Sequence, residues 1–376
     1  MYTSRTGNRL LSKTAIVLAI CIGMLVYFVF SRVVKIYSKV YTSNTVTQVP
    51  LKKTEYSIAL LGYGGGVHEG TFLTDSIMIV HVNTLEKSAQ LISIPRDLWV
   101  KVPTKSKKPY YSKINSVYQM GLYTKNYPDV AFAPKVEQPG AQLVKRILSS
   151  VTGFSIDRYV AIDFDGFTKV VDLLGGIDVN VAVTFDDYEY PVDGKETDLC
   201  GKQPEDLPEL EKIATESPEL AFPCRYEHLH FDKGLTTMNG ETALKFVRSR
   251  HSLQDGSDFG RSARQQLFME AVAKKALAIG SVPKLLPLLD EVSNHVKTDI
   301  ALTEMQKFGK EFFSMRDYST QRVVLSLDNV LKDTYSDDGQ YILVPRSGMN
   351  TWSGVHSFIN KVVETPIVTS EIKSKK

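Results

Sequence analysis

An uncharged run of 18 residues lies between Lys13 and Arg32. This length is at the lower end of what crosses the hydrocarbon core of a bilayer as a helix. A cleaved signal peptide is the alternative, but its apolar region would be shorter and would end at a small-residue cleavage site. Bulky residues at 27–30 (Tyr-Phe-Val-Phe) fill the end of this run. We therefore predict an uncleaved transmembrane helix over residues 14–34.

Basic residues flank this predicted helix on both sides, so the positive-inside rule does not orient it. A short segment precedes the helix and a long polar chain follows it. This asymmetry favours a cytoplasmic tail over residues 1–13, a tether over residues 35–55, and an extracytoplasmic body. The expected location is the cell membrane, with a single pass.

The 376-residue chain has room for one large or two modest domains, and its hydrophobic content of 43% permits a sizeable core. A net charge of +3 is too small to argue for a nucleic-acid partner, so any anion site must come from local clustering of basic residues. Cys200 and Cys224 bracket one insertion-like stretch. They are compatible with a disulfide in an oxidising compartment or with two free thiols.

The body alternates short apolar runs with stretches of helical spacing. Residues 56–61, 75–83, 89–94, 158–163 and 177–185 have strand character, whereas helices are predicted over 142–151, 164–174, 239–251 and 260–279. A five-residue spacer joins the second and third strands, which predicts an antiparallel hairpin. This order predicts an α/β fold, an α/β/α-type sandwich in which helices cover a mixed central sheet.

Domain boundaries follow changes in this pattern. The core domain is predicted over residues 56–280, with an acidic, proline-containing insertion at about 186–231 that we interpret as a surface excursion. Residues 281–365 are predicted to form a smaller mixed extension, and residues 366–376 a charged tail.

The first candidate for chemistry is Ser93-Ile-Pro-Arg-Asp97, where Arg96 follows the proline that ends a strand. Ligands of α/β proteins often bind at such strand ends. A surface ion pair between Arg96 and Asp97 is the alternative interpretation.

A second group of arginines lies at residues 246–266. Arg248 and Arg250 diverge by about 200° on a helix, so they converge on one ligand only if the helix ends there or the backbone straightens. Arg261, Arg264 and Gln265 are three or four residues apart and are predicted to share one helix face.

A helix start presents free N–H groups, and Asp258 is a candidate cap for the helix that carries these residues. Arginine matches phosphate oxygens in a bidentate manner. Together with Arg96, these side chains predict a double phosphate as the ligand.

A glycine-rich loop, residues 60–70, follows the first strand. The next element has strand rather than helix character, and no Gly-Lys-Ser/Thr ending is present, so dinucleotide and P-loop sites are excluded. Asp75 follows this loop and is a candidate ligand for Mg²⁺, which prefers one or two carboxylates together with phosphate oxygens. Glu69 is a candidate second carboxylate.

These patterns together resemble the LytR–CpsA–Psr family from about residue 56 to residue 278. The matching segments are Leu-Leu-Gly at 60–62, Thr-Asp-Ser at 74–76, Ser-Ile-Pro-Arg-Asp at 93–97, Lys-Ile-Asn at 113–115, Asp-Phe-Asp-Gly-Phe at 163–167, Leu-Gly-Gly-Ile-Asp at 174–178, Gly-Glu-Thr-Ala-Leu at 240–244, Val-Arg-Ser-Arg-His at 247–251, and residues 258–266. The insertion and the part beyond residue 281 lie outside this resemblance.

The resemblance implies a membrane-anchored phosphotransferase that moves a glycopolymer, such as teichoic acid, from a polyprenyl-pyrophosphate carrier to peptidoglycan. It implies Mg²⁺ as the cofactor and Asp75 as its ligand. It also implies pyrophosphate binding by Arg96, Arg248, Arg250 and Arg261, which match the pyrophosphate-binding arginines of the family. Gln265 matches a glutamine beside them, and Asp258 matches a nearby acidic residue.

The chain departs from the family pattern at two positions. Gly64 stands where the family often has Asp, and Leu73 stands where it often has Arg. The second metal carboxylate is therefore missing or supplied elsewhere, with Glu69 as the candidate.

For the reaction, we expect an acceptor hydroxyl to attack the phosphorus nearer the glycan. Asp258, or alternatively Asp97, would take its proton. The carrier chain needs an apolar slot, and residues 77–82 and 164–174 are candidates for its walls. If so, the slot is a cavity inside the fold, and some apparent core residues line it.

Two other functions remain open from the sequence. One is a polyprenyl-pyrophosphate hydrolase, in which water replaces the sugar hydroxyl. The other is a non-catalytic lipid-glycan binding or regulatory protein, which is favoured if the altered metal loop has lost Mg²⁺.

Overall fold

This computed structural model describes residues 31–32, 34–41, 53–66, 70–134, 136–279, 290–301, 304 and 318–364. The predicted cytoplasmic tail, residues 14–30 of the predicted transmembrane helix and the charged tail lie outside the described residues. In the described ranges, no helix is both long enough and apolar enough to cross a bilayer. Residue 34, the last of the predicted transmembrane helix, and residues 35–40 of the predicted tether are helical, and Ile36 is buried.

The strands among the described residues are β1 (Glu55–Tyr63), β2 (Thr74–Asn83), β3 (Ser88–Ser93), β4 (Trp99–Lys101), β5 (Tyr111–Lys113), β6 (Arg158–Asp163), β7 (Ile177–Val181), β8 (Phe185–Pro191), β9 (Tyr226–Phe231), β10 (Gly234–Met238), β11 (Val296–Thr298), β12 (Ser319–Val324), β13 (Leu331–Tyr335) and β14 (Tyr341–Pro345). The α-helices are α1 (Val117–Leu122), α2 (Pro139–Thr152), α3 (Phe164–Leu173), α4 (Leu207–Ala214), α5 (Pro218–Ala221), α6 (Gly240–Arg248), α7 (Asp258–Ile279) and α8 (Ser353–Glu364).

A six-stranded mixed sheet organises the molecule, in the order β11-β6-β1-β2-β3-β12. β1 and β6 are parallel, as are β3 and β12, and the other neighbours are antiparallel. The predicted hairpin of β2 and β3 is confirmed, with Met78 opposite Ser93. The mixed α/β class is also confirmed, because helices flank this sheet.

The two faces of the central sheet differ in what covers them. Ala59, Leu61 and Ile79 are buried on one face, in a core that also contains Leu148 of α2 and Val355 of α8. Because side chains alternate along a strand, the intervening residues of β1, β2 and β6 face the other way. That second face is covered by α3, α6 and α7, and it forms one wall of the cavity described below.

Two glycines end α3. Gly175 and Gly176 have φ angles of 74° and 82°, in the left-handed region that favours glycine. They turn the chain into β7, which pairs with β10.

The interpretation of residues 186–231 as a surface excursion is wrong at both ends. β8 and β9 pair there as antiparallel strands, and Tyr190, Leu229 and Phe231 pack in a second core with Phe246 and Phe268. The sequence does not show these strands as apolar alternation, because β8 contains acidic residues and its register shifts between Asp187 and Tyr190. Cys200 and Cys224 form a disulfide, so the stretch between β8 and β9 is closed covalently.

The boundary placed at residue 280 does not separate a domain from an extension. β11 adds to the central sheet beside β6, and β12 adds beside β3. Long-range pairing of this kind has no local sequence signal, which is why residues 281–365 looked independent. Lys145 of α2 and Asp299, which follows β11, form a buried ion pair of 2.7 Å that ties this part to the core.

Candidate functional site

A cavity of about 710 Å³ lies between the second face of the sheet and helices α3, α6 and α7. Its apolar wall includes Leu60, Met78, Val160, Ile162, Phe167 and Phe268. The slot predicted from residues 77–82 and 164–174 is therefore present, through Met78 and through Phe164, Phe167, Val170 and Val171. It is a cavity within the fold, and Phe268 belongs both to its wall and to the second core.

Polar side chains converge on the same cavity. Arg96, Arg248, Arg250 and Arg261 all line it, together with Asp75 and Gln265. They come from the end of β3, the end of α6, the start of α7 and the start of β2. Positions more than 150 residues apart in sequence are thus assembled into one basic group beside an apolar space.

Arg96 is the centre of an ion-pair network. Its Nη1 donates to Asp75 Oδ1 at 2.8 Å, and its Nε lies 3.4 Å from Asp258 Oδ2 and 3.5 Å from Asp97 Oδ2. Burial by itself would lower the pKa of Arg96, but the charges of Asp258 and Asp75 raise it above its ordinary value. The guanidinium therefore stays charged, and among the described residues its buried Nε has no hydrogen-bond partner.

Arg248 and Arg250 converge because α6 ends between them. Arg248 is the last helical residue, and Ser249 has φ −49° and ψ 134°, which is extended backbone. Residues two apart on extended backbone point to the same side. The two arginines were expected to converge only if the helix ended there or the backbone straightened. Both occur, and both side chains line the cavity. Arg248 also lies over the ring of Phe164, 4.5 Å from its centroid.

Arg261 and Gln265 lie one turn apart on α7 and both contact β2. Arg261 Nη2 donates to the Asp75 carbonyl oxygen at 3.2 Å, and the Ser76 hydroxyl donates to Gln265 Oε1 at 2.9 Å. Burial lowers the pKa of Arg261, although the Asp258 charge opposes this effect. The Arg261 side chain is 8% exposed, and its buried Nε has no hydrogen-bond partner in the part of the chain that the structure describes. A buried donor of this kind suits an anionic ligand.

Arg264 does not join this group, although the sequence placed it with Arg261 and Gln265. It is 2% exposed and donates to the carbonyl oxygens of Phe246 and Ser249 and, at 2.5 Å, to the Asp255 carboxylate. It is not among the residues that line the cavity. On an α-helix, the residue at i+3 lies about 60° to one side of residue i and the residue at i+4 about 40° to the other side. Arg264 and Gln265 therefore diverge by about 100°, and Arg264 is directed toward the end of α6.

Asp97 and Asp258 lie behind the arginines. Neither is among the cavity-lining residues. Asp97 is 9% exposed and accepts from Lys113 Nζ at 2.7 Å. Burial would raise the pKa of Asp258, but the charges of Arg261, Arg96 and Arg250 outweigh it and lower that pKa. A carboxylate held ionised in this way is a weak base and a strong partner for guanidinium groups.

The role of Asp258 as a helix cap is also corrected. Asp258 is the first residue of α7, and the Ser257 hydroxyl accepts from the backbone N–H of Gly260 at 3.2 Å. The cap had been assigned one residue too late because Ser and Asp are both common in that position.

Among the described residues, Asp75 has the properties expected of a metal ligand. Its side chain is 39% exposed, it lines the cavity, and only Oδ1 is bonded to Arg96. One carboxylate beside phosphate oxygens is a ligand set that Mg²⁺ accepts. Glu69, the other predicted ligand, lies outside the described residues. Gly64 lines the cavity near Asp75 without offering a ligand.

Several polar residues of the site were missed by the sequence analysis. Asp187, Glu189 and His251 line the cavity, and His251 Nδ1 lies 3.1 Å from Glu189 Oε2. His251 belongs to the matching segment at residues 247–251, but the sequence predicted no role for it. Asp187 and Glu189 belong to β8, where a charged residue occupies a buried position and the register shifts between Asp187 and Tyr190, so no apolar alternation marked them in the sequence.

The segment around the disulfide contributes another part of the wall. Pro218, inside the disulfide-closed stretch, and Tyr226, two residues after Cys224, both line the cavity. Tyr190 and Pro191 of β8 line it as well. Burial raises the pKa of Tyr190 to about 12, so its hydroxyl is neutral at physiological pH.

Comparison with known proteins gives the same family that the motifs indicate. The chain is 26% identical over 287 residues to the polyisoprenyl-teichoic acid–peptidoglycan teichoic acid transferase TagU of Enterococcus faecalis, covering 74% of this chain and 73% of that one. Its fold matches the crystal structure of B. subtilis TagV, with a TM-score of 0.55 and 23% identity over 84% of this chain and all of that one. It also matches TagT bound to LIIa-WTA, with a TM-score of 0.54 and 19% identity over 86% of this chain and 94% of that one.

The model of the LytR_cpsA_psr family matches residues 23–349. This range includes residues 281–349, which the sequence analysis had left outside the resemblance, and the structure explains why, since β11 and β12 complete the central sheet. A match of this length, together with four arginines converging beside an apolar cavity, shows that the protein belongs to the LytR_cpsA_psr family.

Proposed function

We propose that this protein transfers a glycopolymer from a polyprenyl-pyrophosphate carrier to peptidoglycan, forming a phosphodiester. The observation that carries the proposal is the cavity, which is apolar along the sheet and basic at Arg96, Arg248, Arg250 and Arg261. An isoprenoid chain attached to two phosphates has the same division into a long apolar part and a compact anion. The relatives that are teichoic acid transferases support the same substrate class.

In this reaction, the oxygen of an acceptor hydroxyl forms a bond to the phosphorus nearer the glycan. The bond from that phosphorus to the bridging oxygen breaks, and polyprenyl phosphate leaves with the electron pair. Phosphoryl transfer proceeds through a loose transition state, so positioning and charge stabilisation supply most of the catalysis. The buried guanidinium groups of Arg96 and Arg261 would stabilise charge on the departing phosphate.

Asp258 and Asp97 would act on this reaction through Arg96. Both lie within 3.5 Å of its Nε, and the pKa of Asp258 is lowered by the neighbouring arginines. We therefore propose that these two carboxylates orient the side chains of Arg96 and Arg261. The acceptor proton would pass to solvent or to Asp258 late in the step. Little proton abstraction is needed at a loose transition state.

Mg²⁺ is proposed as the cofactor, held by the free oxygen of Asp75. When bound, the ion would neutralise charge on the phosphate oxygens. The anchor over residues 14–34 and the extracytoplasmic location of the body are proposed from the sequence, since the acceptor polymer lies outside the membrane.

The test uses the full chain in detergent with a synthetic polyprenyl-pyrophosphate sugar and peptidoglycan fragments, in Mg²⁺ or in EDTA. Mg²⁺-dependent coupling of the sugar phosphate to the fragments, lost in Arg96→Ala, is the expected result. Release of the sugar phosphate to water without coupling would instead indicate a hydrolase. Binding of the lipid with neither coupling nor release would contradict an enzyme and indicate a binding or regulatory protein.

A further inference from the structure

The three residues that follow α6 are held by one buried carboxylate, that of Asp187 on β8. Asp187 Oδ2 accepts from the Ser249 hydroxyl at 2.6 Å and from the backbone N–H groups of Arg250 and His251 at 3.2 Å each. Asp187 is 1% exposed. Three donors from one short segment thus meet a single carboxylate oxygen.

The other carboxylate oxygen of Asp187 is also occupied. Its Oδ1 accepts from the backbone N–H of Glu189 at 3.0 Å. A carboxylate that accepts four hydrogen bonds has its negative charge balanced by surrounding dipoles. It can therefore border an anion site without repelling the ligand in the way a free carboxylate would.

Arg264 holds the same segment from the other side. Its guanidinium donates to the carbonyl oxygens of Phe246 and Ser249, while Asp187 binds the Ser249 hydroxyl. The buried Ser249, 1% exposed, is therefore fixed through both its backbone and its side chain. The charges of Asp187 and Arg264 are close enough to favour each other, since the Asp187 charge opposes the effect of burial on the pKa of Arg264.

This arrangement determines the direction of two arginines. On a continued helix, Arg248 and Arg250 would diverge by about 200°. The N–H groups of Arg250 and His251 donate to Asp187 instead of continuing the helical pattern, and the Ser249 hydroxyl adds a third bond to the same oxygen. Ser249 is therefore held extended, and both guanidinium groups reach the cavity.

We propose that Asp187 is a positioning residue for the pyrophosphate site, acting through Arg248 and Arg250. The proposal rests on the function proposed above and extends it to a residue of the β8–β9 segment that no sequence motif marked. This role requires that both carboxylate oxygens of Asp187 accept hydrogen bonds. Asparagine at this position must turn one N–H group toward a donor, either that of Glu189 or those of Ser249–His251.

The test measures binding of inorganic pyrophosphate to the full chain by calorimetry, with farnesol as a separate probe of the apolar cavity. We expect Asp187→Asn to weaken pyrophosphate binding by roughly 10- to 100-fold, the usual effect of removing a group that orients ligand-binding side chains. Farnesol binding should stay within about twofold of wild type. A purely structural role would weaken both probes together, which would overturn the proposal.

Two further variants keep the test decisive. Ser249→Ala retains the carboxylate and removes one of its three bonds, so it should weaken pyrophosphate binding by roughly 3- to 10-fold even if Asp187→Asn folds poorly. Asp186→Asn is the matched control, because Asp186 points away from the segment and accepts from His228 and His230 at 2.8 Å. It should bind pyrophosphate as wild type does.

The outcomes separate the two proposals. Equal pyrophosphate affinity in wild type, Asp187→Asn and Ser249→Ala would overturn the positioning role and leave the proposed function standing. Absence of pyrophosphate binding by the wild-type protein would overturn the proposed function and the positioning role with it.

Discussion

Asp75 and Arg96 face each other across the hairpin of β2 and β3, with Arg96 Nη1 2.8 Å from Asp75 Oδ1. The register pairs Met78 with Ser93, and three more residues along each chain bring Asp75 opposite Arg96. The same hairpin thus places a candidate metal ligand beside a candidate phosphate ligand. Arg96 bonds only to Oδ1 of Asp75, and no hydrogen bond from another described residue occupies the second oxygen.

Replacing Asp75 by Asn should remove the Mg²⁺ dependence of the protein. Asn keeps an oxygen that can accept from Arg96, but it lacks the charge that Mg²⁺ prefers. We expect coupling activity to fall roughly 100-fold or more, the scale of losing a major charge-stabilising group. Calorimetry with Mg²⁺ and pyrophosphate together should show the lost metal binding directly. Glu189→Gln, on another part of the cavity wall, is the matched control and should retain the response to Mg²⁺.

Introducing a carboxylate by Gly64→Asp should strengthen Mg²⁺ binding. Gly64 lines the cavity and, unlike Gly65 and Gly66, does not have a positive φ, so an Asp backbone is not strained there. A second carboxylate adds charge to a site that has one described ligand. Titration of Mg²⁺ should show a higher affinity than in wild type. Unchanged affinity would mean that the added carboxylate does not reach the ion held by Asp75.

Arg261 and Arg264 should respond differently to substitution despite their proximity in sequence. Arg264→Ala should lower the free energy of unfolding by about 3–5 kcal/mol, because Asp255 and two carbonyl oxygens lose a buried partner. Arg261→Ala should instead lose most pyrophosphate affinity with a smaller effect on stability. Urea unfolding and calorimetry on both variants test this division. The reverse pattern would restore Arg264 to the ligand site.

The disulfide should stabilise the segment that forms part of the cavity wall. It closes a separation of 24 residues, and a loop of that size corresponds to about 3 kcal/mol of stabilisation in the chain-entropy model. The double variant Cys200→Ser with Cys224→Ser should therefore unfold at lower temperature. It should also bind farnesol more weakly, through Pro218 and Tyr226, and bind pyrophosphate normally. Loss of pyrophosphate binding in this variant would show that the segment also supports the arginines.

Asp258 should stabilise the folded protein at a pH above the ordinary pKa of an aspartate, and this stabilisation should be lost in acid. Its pKa in the folded protein lies below the ordinary value of 3.8, because the arginine charges outweigh burial. A lowered folded-state pKa contributes stability that is present above pH 3.8 and is lost as the pH falls through the folded-state value. At pH 7, Asp258→Asn should be less stable than wild type by about 1–3 kcal/mol. The difference should shrink below pH 3.8 in urea unfolding, and a constant difference would contradict this origin.

Local patterns predicted the elements that surround the site, which are the strands β1, β2, β3, β6 and β7 and the helices α2, α3, α6 and α7. β6 was predicted with its observed bounds, and α3 was predicted to within one residue because Gly175 and Gly176 end it. The paired strands β8 and β9 were missed, since charged residues interrupt their apolar positions and Asp187 occupies a buried one. β11 and β12 were missed because three- to six-residue strands join the sheet through pairing that no local pattern encodes.

The sequence by itself determined the family, the mixed α/β class and which residue types could bind a pyrophosphate, since these depend on local motifs and on the chemistry of arginine. Only the tertiary structure decided that Arg248 and Arg250 converge while Arg264 turns inward. It also decided that Asp187 holds residues 249–251, the segment that follows α6. These directions depend on where α6 ends and on hydrogen bonds between residues 60 or more positions apart in the chain, such as Ser249 to Asp187. Contacts at that separation are set by how the helices pack on the sheet, which spacing along the chain does not specify.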